Sequence, residues 1–374
     1  MFTNLKELVE SMPTEEICRE YLAKQRWIDG KAICPYCSCG KCYSVNKGKR
    51  YKCSGCKLLF NITVGTIFQD SKIPLSKWFL AIYLIGSHKK GISSYQLGKD
   101  ISVSQKSAWF MLHRCRELMR LKKTTILNNM VEADESYVGG RVTNMSKSRR
   151  KKLREENRTY STKTMVMGLI ERGGQLTLIA LGKDNDSRVL QPIVRANVNK
   201  DAVVITDGLQ SYEGLARDFA AHEVVNHREQ EYVRDGIFHT NSIEGAFSLL
   251  KRSIIGIYHQ TSPKHLTRYC DETMLRYNTR NMKDPARFNL LLQGCEGRLD
   301  YKTLTAKPEV IEATQDTHKK GARRPIVQCE NGVFIAQYPS IAAAVKATGL
   351  KQPSIWRVLK GKKVTTGGFE WYYA

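Results

Sequence analysis

Six of the eleven cysteines fall between Cys34 and Cys56, in a spacing that suits a metal ion. Cys34 and Cys37 form one C-x2-C pair, and Cys53 and Cys56 form another after fifteen intervening residues. Tetrahedral Zn²⁺ takes four thiolates at about 2.3 Å, and two such pairs can turn their sulfurs toward one point. Because four thiolates leave no open position, the pattern predicts a structural Zn²⁺ that supplies folding energy to a small module.

A third C-x2-C pair, Cys39 and Cys42, could replace the first pair as ligands, although we favour Cys34 and Cys37. The remaining cysteines are scattered, and we interpret each as an ordinary small apolar residue: Cys18, Cys115, Cys270, Cys295 and Cys329.

Three acids on different predicted elements form a second candidate site. Asp134 lies in a strand-like apolar segment, Asp207 follows the apolar run 202–205, and Glu244 begins a predicted helix. Three carboxylates can hold two Mg²⁺ (or Mn²⁺) ions about 4 Å apart, as phosphoryl transfer requires. Lys251 lies two helical turns beyond Glu244, and its positively charged side chain would point toward a phosphate group. The pattern predicts Asp134, Asp207 and Glu244 as metal-binding catalytic residues, assisted by Lys251.

Each acid also has a structural interpretation. Glu244 stands three residues after Asn241, which is the spacing of a helix capping box. Asp207 could cap a helix that begins near residue 209, and Glu132 or Glu135 could replace Asp134 as the functional acid.

The net charge of +24 indicates a polyanionic partner, because charges of one sign repel one another across a folded body. Nucleic acid is the leading candidate. The longest wholly apolar run, 78–85, is too short to cross a membrane, and the first residues lack the features of a secretory signal. We therefore expect a soluble protein of a reducing compartment, where clustered cysteines indicate metal rather than disulfides.

The elements that carry these residues can be predicted from hydrophobic periodicity. Residues 5–28 read as one helix, and helices are predicted over 75–88, 94–99 and 104–119. Between about 129 and 256, strands alternate with helices in the order βββαβαβα, including a helix directly after Asp207. This order predicts an α/β fold with a ribonuclease H-like catalytic core.

The three helices between 75 and 121 fit a helix-turn-helix with a recognition helix that opens at residues 104–109. We predict DNA contacts for Gln105, Lys106 and Arg114. A plain three-helix bundle is the alternative.

Two segments outside the predicted core elements contain runs of basic residues. Residues 141–163 centre on a run that could contact the DNA backbone or could be a solvated loop: Arg149, Arg150, Lys151 and Lys152. Residues 300–325 lack apolar periodicity and end in a second basic run, so they are predicted to be a linker.

At these motifs the chain resembles the DDE transposases of bacterial insertion sequences that carry an N-terminal zinc ribbon, the group related to ISXO-type elements. The resemblance rests on stretches 50–56, 65–68, 77–79, 131–135, 239–245 and 250–252. It implies that Asp134, Asp207 and Glu244 are the catalytic triad and that Lys251 is the basic residue after it. It also implies cleavage at transposon ends, attack of the 3′-hydroxyl on target DNA, and action as a homodimer or higher oligomer. Arg252 is expected to contact DNA beside Lys251.

The tail, 326–374, resembles the modular DNA-binding repeat of homing endonucleases, with Arg357, Lys360 and Lys362 placed to contact phosphates. A small interaction domain with a basic surface is the alternative.

The sequence thus predicts five segments: a helix and zinc ribbon (1–68), a helix-turn-helix (69–125), a ribonuclease H-like catalytic domain (126–299), a linker (300–325) and a DNA-binding repeat (326–374). The expected function is that of a DNA transposase of the cytoplasm, associated with the nucleoid. A regulator that binds DNA without cutting it and a metal-dependent nuclease without strand transfer are the alternatives.

Overall fold

The computed structural model divides the chain into two compact units, Met1–Ala306 and Lys307–Ala374. It describes residues 2–27, 29–46, 48–120, 125–140, 145–155, 163–182, 186–226, 233–306, 326–330, 333–338, 340–359, 363 and 365–373. Among these residues, no helix is both long and apolar enough to span a bilayer.

The first unit begins with two helices, α1 (Leu5–Ser11) and α2 (Glu15–Arg26), so the single helix predicted over 5–28 is wrong. Pro13 separates them because proline has no N–H to donate and disfavours helical geometry in the residue before it. Met12 accordingly leaves the helical region, with φ −129° and ψ 55°. An antiparallel sheet follows, formed by β1 (Cys42–Val45), β2 (Arg50–Cys53) and β3 (Leu59–Phe60).

Three helices occupy the positions predicted for them: α3 (Leu75–Ser87), α4 (Ser94–Asp100) and α5 (Gln105–Met119). The side chains of Ser93 and Ser104 cap α4 and α5 by accepting from backbone N–H groups. The turn between these helices passes close to Gly98, where an added Cβ would lie 3.0 Å from the carbonyl oxygen of Val103. A glycine at this position lets α4 and α5 pack tightly.

The central sheet of the first unit is formed by β4 (Met130–Val138), β5 (Thr164–Glu171), β6 (Leu176–Ala180), β7 (Val203–Asp207) and β8 (Ala221–Val225). Helix α6 (Lys147–Glu155) lies between β4 and β5 in the chain, and α7 (Ser187–Asn197) lies between β6 and β7. The strands are ordered β6-β5-β4-β7-β8. β4 pairs antiparallel with β5 and parallel with β7, and β7 pairs parallel with β8.

The helix predicted directly after Asp207 is absent from the described residues. Two 3₁₀ turns, Gln210–Tyr212 and Leu215–Arg217, stand in its place. Gly214 lies between them with φ +98°, which interrupts helical geometry. Helix α8 (Asn241–Ser253) then runs directly into a π-helical turn, Ile254–Tyr258.

Alternating side chains of the central sheet face two different cores. Val131, Ala133 and Val204 face one core, together with apolar residues of α7. Val138 and Val166 face the other, which Ile243, Phe247 and Leu250 of α8 complete. The side that a strand residue faces therefore decides whether it meets α8.

Three further helices complete the first unit: α9 (Leu266–Asn278), α10 (Asp284–Gln293) and α11 (Tyr301–Thr305). Phe288 and Leu292 of α10 pack in one core with residues of α2, the ribbon and α3 to α5. The domain boundaries predicted after residues 68 and 125 therefore fall within one continuous core. The prediction of a linker from residue 300 is wrong at its start, because α11 occupies Tyr301–Thr305 and Leu304 is buried; residues 307–325 lie outside the described part of the chain.

The second unit contains β9 (Ile326–Glu330), β10 (Val333–Tyr338), α12 (Ile341–Thr348), α13 (Gln352–Leu359) and β11 (Glu370–Tyr373). β9 is the middle strand and pairs antiparallel with both others. Ile355 and Trp371 are central to its own core.

Candidate active site and metal centre

The structure brings four cysteines of the N-terminal ribbon to one point. The sulfurs of Cys34 and Cys56 lie 3.6 Å apart, and those of Cys37 and Cys53 lie 3.5 Å apart. All four sulfurs fall within 4.8 Å of one another, as they must around one tetrahedral ion. Burial raises the pKa of the Cys34 thiol, but hydrogen bonds from backbone N–H groups and from the Cys56 and Cys37 thiols together outweigh burial and bring it to about 7. The sulfurs are thus arranged as thiolate ligands of a structural Zn²⁺.

The third cysteine pair borders this cluster but is not part of it. The Cys39 sulfur lies 3.8 Å from the hydroxyl of Ser54, and the Cys42 thiol donates to the Cys39 carbonyl over 3.5 Å. Burial raises the pKa of Cys42 to about 11. Cys39 and Cys42 are therefore neighbours of the cluster rather than members of it.

Asp134 and Asp207 occupy neighbouring positions on the parallel strands β4 and β7. Ala133 pairs with Thr206, and the two aspartates are the next residue on each strand. Because alternate residues share a face, both lie on the side of the sheet that α8 covers. Adjacent strands are about 4.8 Å apart, so the two carboxylates share one edge of the sheet. Both residues are half-buried.

Glu135 adds a fourth acid, on the opposite face of β4. Its carboxylate accepts a hydrogen bond from the hydroxyl of Tyr212, a buried residue of the first 3₁₀ turn after β7. Burial is the largest effect on the pKa of Glu135; the Tyr212 hydrogen bond lowers this pKa, the charges of Asp134 and Asp207 raise it, and the net result is a pKa raised to about 7. Negative charge is thus concentrated at this edge of the sheet.

Glu244 is brought to the same sheet by the close approach of α8. Gly168 of β5 is the cross-strand partner of Asp134. A Cβ added at Gly168 would lie 2.5 Å from Ile243 and 2.8 Å from Phe247, so only glycine allows α8 to pack this closely. Glu244 follows Ile243 directly and is exposed, as is Lys251.

The capping-box interpretation of Glu244 is wrong. Helix α8 has Thr240 as its N-cap, which places Glu244 one position beyond the third helical residue. Asp207 does make a local contact, since its carboxylate accepts from the backbone N–H of Leu209 over 3.2 Å, but a 3₁₀ turn rather than an α-helix follows.

Glu132 does not take the place of Asp134 at the sheet edge. Its carboxylate is fully buried and is bound by the first turn of α8 and by Arg172. Two sequence features indicate this role when taken together: an acid at a buried position of an apolar strand, and an arginine in a hairpin turn.

Within the described residues, the four cysteines are the only group of three or more potential ligands whose atoms all approach within 4.8 Å. Asp134, Asp207 and Glu244 lie on adjacent elements, but their carboxylate oxygens do not all lie within 4.8 Å of one another.

Arg114 is not available to DNA, which corrects its predicted role. It is 5% exposed, and its guanidinium donates to the carbonyl oxygens of Leu299, Ile67 and Gln69 over 2.8 to 3.0 Å. It lies on the inner face of α5, where it fixes the loops around that helix. Gln105 and Lys106 are exposed at the start of α5, and their contacts with DNA stay a prediction.

The other basic residues predicted to contact DNA lie on helix surfaces. In α6, Arg149, Lys151 and Lys152 are exposed and Arg150 is half-buried. Arg252 of α8 and Arg357 of α13 are also exposed. Lys360 and Lys362 lie outside the described residues.

Two domain families match the chain at these two sites. The ISXO2-like transposase domain matches residues 126–278, which include β4, β7 and α8, and the transposase zinc-ribbon domain matches residues 13–58, which include the four cysteines. A Halobacterium salinarum protein, described as an uncharacterized protein in transposable element ISH50, is 30% identical over 278 residues. The alignment covers 72% of this chain and 92% of that relative.

Proposed function

The chain belongs to the family of ISXO2-like transposases, and from this premise we propose that it cuts DNA at the 3′ ends of an insertion sequence and joins them to target DNA. In the joining step the freed 3′-hydroxyl attacks a target phosphorus, and the 3′-oxygen of the target strand leaves. One new phosphodiester bond replaces one that is broken.

One observation carries this proposal: Asp134 and Asp207 stand side by side at the end of a parallel strand pair. The carboxyl ends of parallel strands are where open α/β sheets bind their ligands. Two half-buried acids at such an edge repel each other, and a cation between them relieves that repulsion.

The three acids suit Mg²⁺ or Mn²⁺, which prefer carboxylate oxygens as ligands. We assign Asp134, Asp207 and Glu244 as the residues that would hold two such ions. When bound, the ions would activate the attacking oxygen and stabilise the leaving one. Lys251 lies seven residues after Glu244 on α8, close to the same helix face, and would hold a DNA phosphate at the site by charge attraction.

The topology supports a ribonuclease H-like core for this site. If the strands of the central sheet are numbered in chain order, their spatial order is 3-2-1-4-5, with the second strand antiparallel to the first and third and the last two parallel to the first. The first and fourth strands, which are neighbours, carry Asp134 and Asp207.

DNA would meet the protein over several basic surfaces. β4 continues beyond Asp134 to Val138, so the segment that holds α6 leaves the sheet at the edge that carries the acids. We propose that Arg149, Arg150, Lys151 and Lys152 contact the DNA backbone there, together with Arg252 of α8. The zinc ribbon and a helix-turn-helix of α3 to α5, through Gln105 and Lys106, would bind the element ends.

The second unit would add DNA affinity through Arg357 on the exposed side of α13, in the manner of a modular DNA-binding repeat. The protein would act as a homodimer or higher oligomer, since two element ends must be joined to one target, and it would work on the nucleoid in the cytoplasm.

Incubation of the protein with Mg²⁺ and labelled element-end DNA tests the proposal. A transposase yields labelled ends joined to target DNA. Shortened fragments without joined products would indicate a nuclease, and binding without any cleavage would indicate a regulator.

A further inference from the structure

The proposed chemistry does not use Glu132, yet several groups bind its fully buried carboxylate. The backbone N–H groups of Ser242 and Ile243 donate to it over 2.9 and 3.1 Å, and the Ser242 hydroxyl donates over 2.9 Å. Thr240, the N-cap residue of α8, makes no side-chain capping bond. Glu132 therefore caps α8 from the neighbouring strand, satisfying N–H groups that have no partner within the helix.

Arg172 compensates the buried charge of Glu132. Its Nη2 and Nε donate to the carboxylate over 3.0 and 3.2 Å, and its Nη1 donates to the carbonyl oxygen of Ile237 over 2.7 Å. His239 completes the surroundings, with Nδ1 3.4 Å from the carboxylate. Burial of a carboxylate costs free energy unless the charge is paired and hydrogen-bonded. Folding must therefore bring Glu132 and these partners together at the same time. This set of partners joins β4, the β5–β6 turn and the chain entering α8.

We propose that Glu132 is a positioning residue that sets Glu244 of α8 against Asp134 of β4. Glu132 and Asp134 are two residues apart on the same face of one strand. Glu244 directly follows the two residues whose N–H groups Glu132 binds. The apolar face of α8 holds the helix on the sheet, but apolar contact is not directional, whereas hydrogen bonds fix both rotation and position along the axis. This inference rests on the proposed function, since it gives Glu132 a role only if Asp134 and Glu244 hold metal together.

The test compares Glu132→Gln and Glu132→Ala with the wild-type protein in Mn²⁺ binding, followed by electron paramagnetic resonance without DNA. Glutamine keeps an acceptor for the N–H groups but loses the charge that pairs with Arg172, and alanine loses both. We expect Mn²⁺ affinity to fall about tenfold in Glu132→Gln and further in Glu132→Ala, in the range of other residues that orient metal ligands. Amide hydrogen exchange at Ser242 and Ile243 should accelerate in the same order.

Glu223→Gln is the matched control. Glu223 lies in the same row of the sheet, since both it and Glu132 pair with Ile205, and it also pairs with an arginine, Arg234. It makes no contact with α8 among the described hydrogen bonds, so its variant should bind Mn²⁺ as the wild type does. If Glu132→Ala does not fold, Ser242→Ala replaces it: loss of the one hydroxyl should weaken Mn²⁺ binding by about threefold.

The outcomes separate the two proposals. If the wild-type protein neither binds Mn²⁺ nor cuts DNA, the proposed function fails. If it does both, while folded Glu132 variants and Ser242→Ala bind Mn²⁺ with unchanged affinity, the positioning role of Glu132 is overturned.

Discussion

Three acids within four residues of β4 have three different surroundings. Glu132 is fully buried and caps α8, Asp134 stands half-buried at the end of the ladder with β7, and Glu135 accepts from the Tyr212 hydroxyl on the opposite face. The same chemical group thus serves as helix cap, proposed metal ligand and packing anchor, according to the partner that each position meets.

Removal of one charge from the proposed triad should stop the chemistry and leave the fold intact. Asp134→Asn, Asp207→Asn or Glu244→Gln should each reduce Mg²⁺-dependent DNA cleavage by more than about a hundredfold, because a lost metal ligand costs more than a lost supporting contact. DNA binding, measured by gel shift, should change little. Asp218→Asn, which alters an exposed pair with Arg195, is the control and should cut normally. A triad variant that cuts at the wild-type rate would remove that residue from the site.

The two neighbouring kinds of cysteine should behave differently on substitution. Cys34→Ser should lose bound zinc, lower the melting temperature and weaken binding to element ends, because the ribbon draws folding energy from its ion. Cys39→Ser should keep one zinc per chain, since its sulfur lies outside the cluster. Metal content by mass spectrometry and melting by calorimetry check both. Equal zinc loss in the two variants would contradict the assignment of ligands.

Residue types and spacing alone predicted the cysteine set and the candidate acids, because C-x2-C pairs and apolar strands are local patterns. The partners of Glu132 lie 110 residues away in the chain, so local pattern could not separate it from Asp134. The DNA contact predicted for Arg114 is wrong for the same reason: its carbonyl partners lie in loops 45 to 185 residues away in the chain.

At the scale of elements, α5 carries an unusual buried histidine. His113 is 0% exposed and packs against Trp109 and His265, with ring centroids 4.5 and 4.8 Å away. Neither ring nitrogen has a hydrogen-bond partner among the described residues. Burial, together with the smaller effect of the nearby charge of Arg116, lowers the pKa of His113 to about 2.

This histidine should make the fold sensitive to mild acid. Because its folded pKa lies below its unfolded value near 6.5, the unfolded chain binds the proton first, and stability falls as pH drops below about 6.5. Below that pH, His113 lowers the free energy of unfolding by an amount that approaches about 1.4 kcal/mol for each pH unit. His113→Phe keeps the ring, so it should melt at least as high as the wild type at pH 7 and decline less at pH 5.5. The exposed His259→Asn should follow the wild-type profile. Parallel profiles for His113→Phe and wild type would refute this role.

Periodicity predicted α3 to α5 and, apart from α6, the order of strands and helices from β4 to α8, and two of the exceptions have local causes. Pro13 divides the first helix, and the left-handed Gly214 replaces a helix with two 3₁₀ turns. Strand order could not be predicted in this way, because the pairing of β4 with β7 joins residues as far apart in the chain as Met130 and Val203. The requirement for glycine at position 168 likewise becomes clear only when α8 is packed against it.

At the scale of the whole molecule, the chain consists of two units with separate cores. Truncation after Ala306 should therefore leave the melting transition of the first unit unchanged, since no core residue of that unit is removed. DNA affinity should fall and depend less steeply on salt, because Arg357 and its basic neighbours are lost. Calorimetry and salt-dependent binding check this. A truncated protein that melts lower would show that the units depend on each other for folding.

The central claim is that Asp134, Asp207 and Glu244 share divalent metal ions. Anomalous diffraction from crystals soaked in Mn²⁺ tests it most directly, because manganese can be located independently of the protein atoms. We predict two manganese peaks about 4 Å apart, contacted by these three carboxylates, with zinc retained at the four cysteines. Manganese bound elsewhere, or none at the edge shared by β4 and β7, would contradict the account.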